Sequence, residues 1–402
     1  MTYMKRGTKE FKKVNFALFA GGFCTFAILW GTQPLLPEIA KEFQISPAVS
    51  SLSQTSTTIT LAISLLIAGT LSEIYGRKRV MTISLVASSM LAVLTGFMPN
   101  LDLLITCRIL LGITLAGLPA VAMAYLGEEI DPKSLGMAIG LYISGNSFGG
   151  MAGRIISGIL TDYFGWRIAL TGIGIVSFAA TFIFWSFLPQ STNFKVQTFN
   201  VKQFGLGLFS HFKTPSLIHL FLIGFLLSAG FVSLYNYIGF QLINPPYSLS
   251  QTLVGFIFIV YIVGTISSTW MGMLADHYGK GRMLQVSIII LMLGVCITLD
   301  LNLWIKIFGI AIFTFGFFAS HSIASSWVGR LAAQNKAQAS SLYLFSYYFG
   351  GSIAGTASGT FYSNFGWIGI VIMIAVLSTI SLLISIHLGM ISSRIIKVLK
   401  IQ

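Results

Sequence analysis

The stretch GTLSEIYGRKRVM at residues 69–81 returns at residues 272–284 as GMLADHYGKGRML. Gly69, Leu71, Tyr75, Gly76 and Arg79 recur as Gly272, Leu274, Tyr278, Gly279 and Arg282, and Glu73 recurs as Asp276, at an offset of 203 residues. That offset is half of the 402-residue chain. Each copy joins two apolar runs, and about 20 apolar residues let a helix cross the ~30 Å hydrocarbon core of a bilayer. A charged turn repeated at that spacing between such runs divides the chain into two similar halves.

A second set of matches, offset by 201 residues, extends the duplication. Leu141-Tyr142 answers Leu342-Tyr343, Phe148-Gly149-Gly150 answers Phe349-Gly350-Gly351, and Phe164-Gly165-Trp166 answers Phe365-Gly366-Trp367. Twelve spans can be drawn, at 14–36, 49–72, 80–98, 101–126, 135–160, 166–188, 216–240, 251–274, 283–300, 303–328, 338–362 and 367–389. Six spans per half give the halves the same sense across the membrane. An axis along the membrane normal should relate them, with a central site between them.

Apolarity fixes the class. The chain is 55% hydrophobic and 9% charged, whereas soluble domains carry about 25% charged residues. Runs such as ISLLIAGTL and IGIVSFAATFIFWSFL lack the alternation of a barrel strand, and a helix satisfies its own backbone in lipid. The expected fold is therefore an all-α membrane protein of twelve transmembrane helices in two six-helix bundles. Residues 1–188 and 216–402 form the bundles, and a polar, basic linker at 189–215 joins them. Cys24, Cys107 and Cys296 fall inside apolar runs, far apart, and read as buried small residues rather than disulfide partners or metal ligands. The run from Val14 is too long for a signal-peptide core and reads as a retained first span.

Lysine and arginine set the orientation. Of the 24, only Lys41, Arg167 and Lys306 fall on one side of the spans, and Arg108 and Arg154 fall within spans. The others, among them Arg77, Lys195, Lys202, Arg394, Lys397 and Lys400, fall on the other side. Positive charge stays in the cytoplasm, so both termini are expected there. The net charge of +13 is then a consequence of topology, and no nucleic-acid partner is needed to explain it.

Gly69, Leu71, Ser72, Glu73, Gly76, Arg77 and Lys78 fill the pattern G-x-L-[S/A]-[D/E]-x-x-G-[R/K]-[R/K]. This resembles the signature of the major facilitator superfamily, and the resemblance covers nearly the whole chain. Glu73 stands for the usual Asp, and Gly281 takes the second basic place in the looser second copy. The resemblance implies a cytoplasmic gate made by Gly69, Leu71, Glu73, Gly76, Arg77, Lys78 and Arg79 with Gly272, Asp276, Gly279 and Arg282. The residue types suit that role. Gly76 permits a tight turn, and a carboxylate can bond a helix N-terminus or a facing arginine. The plainer alternative is that these charges only set topology. Arg108-Ile-Leu-Leu-Gly112 is similar to the R-x-x-Q-G element of drug:proton antiporters, with Leu111 in the Gln place. Gly145, Asn146, Gly149 and Gly150 resemble the antiporter motif G-P-x-x-G-G with Asn146 in the Pro place, and Gly350 and Gly351 repeat its end. Small residues of this kind let helix backbones approach closely. Arg154, HSIASSW at 321–327 and SSLYLFSYYFGG at 340–351 are most like the YnfM-type inner-membrane transporters of bacteria.

A charge inside a span is costly and should face a cavity or a partner, which marks Arg108 and Arg154. The alternative for Arg108 is snorkelling to the interface. None of the 11 acidic residues lies mid-membrane, a departure from many proton-driven relatives. His321 lies deep in the tenth span, and imidazole titrates near ~6.5 in water. It is the candidate for proton coupling, or else a packing residue. Glu38, which follows Pro34 and Pro37, is expected to pair with Arg108. Thr25, Thr32, Ser228 and Tyr235 complete the candidate lining.

The resemblance implies secondary active transport by alternating access, with efflux driven by proton exchange, in the bacterial cytoplasmic membrane. An aromatic content of 13% points to an amphipathic or drug-like substrate. A sugar or metabolite carrier of the same fold, and more remotely a non-transporting sensor or scaffold, remain open. The expected partners are a small-molecule substrate, protons and the lipid bilayer, with no cofactor and no metal, and the chain is expected to be a monomer. No G-x-x-x-x-G-K-[S/T] loop occurs, which argues against ATP drive, and the ionisable groups within the spans are too sparse to suggest an enzyme.

Overall fold

The structure is a computed structural model that describes residues 3–194, 201–332 and 336–399. Lys195 and Lys400, used above for orientation, lie outside the described residues, as do the side chains of Lys202, Arg394 and Lys397.

The described chain is helical almost throughout. In order it forms α1 (Lys9–Trp30), α2 (Leu36–Phe43), α3 (Pro47–Tyr75), α4 (Arg77–Thr95), α5 (Leu101–Leu115), α6 (Gly117–Glu129), α7 (Leu135–Phe164), α8 (Trp166–Phe187), α9 (Val201–His211), α10 (Pro215–Ile243), α11 (Gln251–Phe256), α12 (Tyr261–Tyr278), α13 (Lys280–Ile297), α14 (Leu303–Leu331) and α15 (Lys336–Leu399). Non-helical backbone at Gly366 breaks α15 into two rods. Among the described residues ten helical segments are long and apolar enough to cross a membrane. That set omits α7 and counts α15 once, so each of the twelve expected spans falls on a helix. The structure adds α9, a helix inside the stretch read from sequence only as a polar linker.

Local chemistry sets the helix ends. Ser46, Asn100 and Ser250 each accept a bond from the backbone amide three residues on, and Asn302 accepts from Trp304 and Ile305. These side chains cap α3, α5, α11 and α14. Where two helices join with no loop, glycine makes the joint. Gly76, Gly165, Gly279 and Gly366 have φ of 92, 82, 95 and 60°, a region that costs other residues a Cβ clash. They form two pairs, Gly76 with Gly279 and Gly165 with Gly366, each related by the sequence repeat.

By contacts the chain divides into two compact units. The first is Met1–Asn200 with Leu242–Phe258, and the second is Val201–Gln241 with Ile259–Gln402. In the first unit Leu18, Leu118, Val121, Tyr125 and Phe184 centre one apolar core, and Leu35, Leu104, Trp166 and Leu170 centre a smaller one. Glycines draw α1 onto α7. A Cβ at Gly145 would lie 2.5 Å from Phe19 O, one at Gly149 2.2 Å from Phe23 O, and one at Gly153 2.6 Å from Ala27 Cα. The second unit repeats the device, since a Cβ at Gly350 would lie 2.2 Å from Phe225 O. Many large apolar side chains, such as Ile67, Ile83, Phe182, Ile266, Trp270 and Leu383, stand exposed. On a membrane protein those are lipid-facing surfaces, since lipid tails are as apolar as leucine.

Candidate functional site

The sequence marked Arg108 and Arg154, and both are buried inside the first unit, each 1% exposed. Arg108, on α5, donates Nε to Ser53 O at 2.8 Å and Nη2 to Gln54 Oε1 at 3.4 Å. Gln54 is fixed in turn, because its Nε2 donates to Leu29 O at 2.9 Å. Thr57 Oγ1 donates back to Arg108 O at 3.0 Å. Ser53 and Gln54, in the polar run SSLSQTSTT at 50–58 on α3, thus bond the guanidinium where water is excluded. Arg154, on α7, donates Nε to Gln33 Oε1 at 2.9 Å and Nη1 to Gly150 O at 2.7 Å. Its guanidinium carbon sits 4.8 Å from the ring centre of Trp30 and 4.7 Å from that of Phe258. Aromatic faces attract a cation, most strongly where water is excluded. The snorkelling alternative for Arg108 is therefore set aside.

The expected pairing of Glu38 with Arg108 does not form. Glu38 instead accepts from Gln251 Nε2 at 3.4 Å. The start of α11 is the reason. Asp162, near the end of α7, accepts the backbone amides of Gln251 at 2.9 Å and Thr252 at 2.7 Å, which brings Gln251 within reach of Glu38.

The second unit gathers aromatic rings. Phe231 stacks on Phe317 with centroids 3.7 Å apart and lies 4.8 Å from Tyr235. Tyr235 OH and Thr314 Oγ1 bond at 2.6 Å. His321, half-buried on α14, shares a 3.0 Å bond between Nδ1 and Tyr343 OH, and its ring lies 4.6 Å from that of Tyr347. Thr25 turns back to Gly21 O at 3.0 Å. Thr32 Oγ1 and Ser228 Oγ are buried with no hydrogen-bond partner among the described residues. In the second unit Gly351 packs its backbone against Ser228, where a Cβ would meet Ser228 Oγ at 2.7 Å. Asn146 fills the gap left by Gly22, with Oδ1 only 2.2 Å from where a Cβ would stand.

The repeated turns carry ion pairs of opposite polarity. In the first, Arg77 bonds Ser72 Oγ and makes an ion pair with Glu128 at 2.7 Å. In the second, Asp276 pairs with Arg330 at 2.8 Å. Glu128 and Arg330 are 202 residues apart, so the repeat places an acid in one unit where it places a base in the other. Glu128 and Glu129 lie just past the fourth expected span. Glu129 is fully buried and accepts Thr192 Oγ1 at 2.6 Å and Asn193 N at 2.8 Å. Gln54, Glu128 and Asp162 were the residues missed. The polar run inside an otherwise apolar span was the available signal for Gln54, whereas nothing local marked the other two.

A multi-pass helical membrane protein built from two repeated units, with buried arginines in one and a histidine among aromatics in the other, has the form of a transporter. Residues 18–243 and 220–393 match the family description "Major Facilitator Superfamily". The chain is 49% identical over 389 residues to YybF, an uncharacterized MFS-type transporter of Bacillus subtilis, covering 97% of this chain and 96% of YybF. It is 44% identical over 386 residues to the inner membrane transport protein YnfM of Escherichia coli, covering 96% and 93%. The crystal structure of the nucleoside transporter NupG has the same fold at a TM-score of 0.78 and 16% identity, covering 93% of this chain and 99% of that one. The chain belongs to the major facilitator superfamily, and secondary transport of a small molecule is the activity that membership implies.

Proposed function

We propose that the protein is a proton-coupled exporter of amphipathic small molecules. It works by alternating access in the cytoplasmic membrane of a bacterium, as a monomer with both termini in the cytoplasm. The observation that carries this reading is His321, held by Tyr343 and surrounded by Phe317 and Tyr347. An imidazole deep in a span is a group that can take up and release a proton. Its hydroxyl partner can hold or pass a proton at Nδ1. The rings of Phe231, Tyr235 and Phe317 offer flat apolar surface with a phenol at the edge, which suits a substrate part apolar and part polar. Arg108 and Arg154 supply fixed positive charge in the other unit. The repeated turns serve as conformational latches, because each ties the start or end of a span to a neighbour through one ion pair.

A toxicity screen of dyes, antibiotics and sugars in deletion and overexpression strains supplies the substrate. The full chain in proteoliposomes then shows whether export of that substrate moves protons the opposite way. His321→Ala is expected to lose gradient-driven transport at normal expression while equilibrating exchange of the substrate persists. Undiminished coupling in that variant overturns the role of His321. Protons moving with the substrate, not against it, replace export by uptake.

A further inference from the structure

The two repeated turns each build a pocket at the same end of their own unit. The pocket in the first unit has a volume of about 440 Å³ and is lined by Tyr75, Lys78, Arg79, Thr82, Trp185 and Ser191. The second unit's pocket, about 700 Å³, is lined by Tyr278, Lys280, Arg282, Gln285, Trp327 and Met390. Sequence repetition makes Tyr75 the counterpart of Tyr278 and Arg79 the counterpart of Arg282.

The geometry points to a binding site for the head group of an anionic phospholipid in each pocket. Charge is the first argument. Arg77 is taken up by Glu128 and Arg330 by Asp276. Lys78, Arg79 and Arg282 enter no ion pair among the described residues, and Lys280 Nζ bonds only the neutral Ser326 Oγ. Each pocket therefore keeps two cationic side chains outside any ion pair among the described residues, although Asp276 lies close enough to Lys280 to attract it. The backbone adds to this. Each pocket holds the first turn of a helix, α4 or α13, whose glycine N-cap offers no side-chain acceptor. First-turn amides without acceptors favour an anion. In the first pocket Thr82 Oγ1 and Ser191 Oγ are also buried with no hydrogen-bond partner among the described residues, two hydroxyls able to bond phosphate oxygens.

Shape then distinguishes a lipid from a free phosphate. One edge of each pocket is apolar and exposed, with Ile83 58% and Trp185 54% exposed in the first and Met390 50% and Tyr278 58% in the second. Such side chains lie against acyl chains, and Trp and Tyr settle at head-group depth. Basic pockets between spans on the cytoplasmic side take anionic head groups, and the turns face the cytoplasm in the proposed orientation. The site is independent of the substrate and of proton coupling.

Native mass spectrometry of the purified full chain tests this. Delipidated protein is titrated with phosphatidylglycerol or phosphatidylcholine, and separately with inorganic phosphate or glycerol 3-phosphate as competitors. Two phosphatidylglycerol molecules are expected to be retained in preference to phosphatidylcholine. Lys78→Gln with Arg79→Gln should remove one, and Lys280→Gln with Arg282→Gln the other, each pair weakening its own site about 30-fold. Unaltered melting temperature in phosphatidylcholine shows that the variants fold. Should they not fold, quenching by brominated phosphatidylglycerol decides, compared between the wild type and Trp185→Phe. The quenched fraction should fall in the variant. Equal retention of both lipids, retention unaltered in the folded variants, or quenching insensitive to Trp185 overturns the proposal. Full displacement by inorganic phosphate makes the pockets free-phosphate sites and overturns the lipid assignment.

Discussion

Arg108 and Arg154 are stabilised by amides, carbonyl oxygens and rings rather than by an acid at Arg108, so their structural and functional roles separate. A buried charge with no opposite charge beside it is costly to desolvate, and an apolar chain of similar volume removes that cost. Arg108→Met is accordingly expected to keep or raise the melting temperature while abolishing transport of the substrate found by screening. A large loss of stability in Arg108→Met would show instead that the guanidinium holds α3 to α5. Asp162 behaves differently, because it caps two amides of α11. Asp162→Ala should lower stability by about 1 kcal/mol, and Asp162→Asn, which keeps one acceptor, by less, as read by thermal unfolding. The hydropathy pattern exposed Arg108 and Arg154 because a charge in an apolar run stands out. It could not expose Asp162, whose meaning depends on amides 89 and 90 residues away in sequence.

Among the helices, close approach of α1 to α7 and of α10 to α15 depends on glycine. Gly149→Ala would drive a Cβ to 2.2 Å from Phe23 O, and Gly350→Ala to 2.2 Å from Phe225 O. Backbone cannot rotate away, so each substitution is expected to cost about 1–3 kcal/mol and lower the yield of folded protein. Gly140 lies in the same helix as Gly149 with nothing within 4 Å of its would-be Cβ. Gly140→Ala should leave stability unaltered or raise it by about 0.5–1 kcal/mol, which makes it the control. If Gly149→Ala and Gly140→Ala melt alike, the packing argument fails. The twelve spans were legible because length and apolarity are local properties. The break between α5 and α6, the helix α9 and the capture of residues 242–258 by the first unit were not, since none follows from hydropathy alone.

For the whole molecule, a secondary transporter draws on an ion gradient. A protonophore that collapses the proton gradient should abolish export from cells, whereas depleting ATP with the gradient maintained should leave it intact. Export that follows ATP would remove the proposed mechanism. Fluorescent-protein fusions at either terminus should fluoresce, as cytoplasmic fusions do, and a dark C-terminal fusion would reverse the orientation drawn from lysine and arginine. The chain by itself determined its class, its spans, its duplication and the glycine turn at Gly76, because each rests on residues adjacent in sequence or on repetition that can be counted. Only the tertiary structure decided that Arg108 bonds Gln54 and not Glu38, that Glu38 meets Gln251, and that His321 meets Tyr343. Partner choice turns on which faces of distant helices meet, and the competing pairings differ by a few hydrogen bonds of about 1 kcal/mol each, a margin that no local pattern encodes.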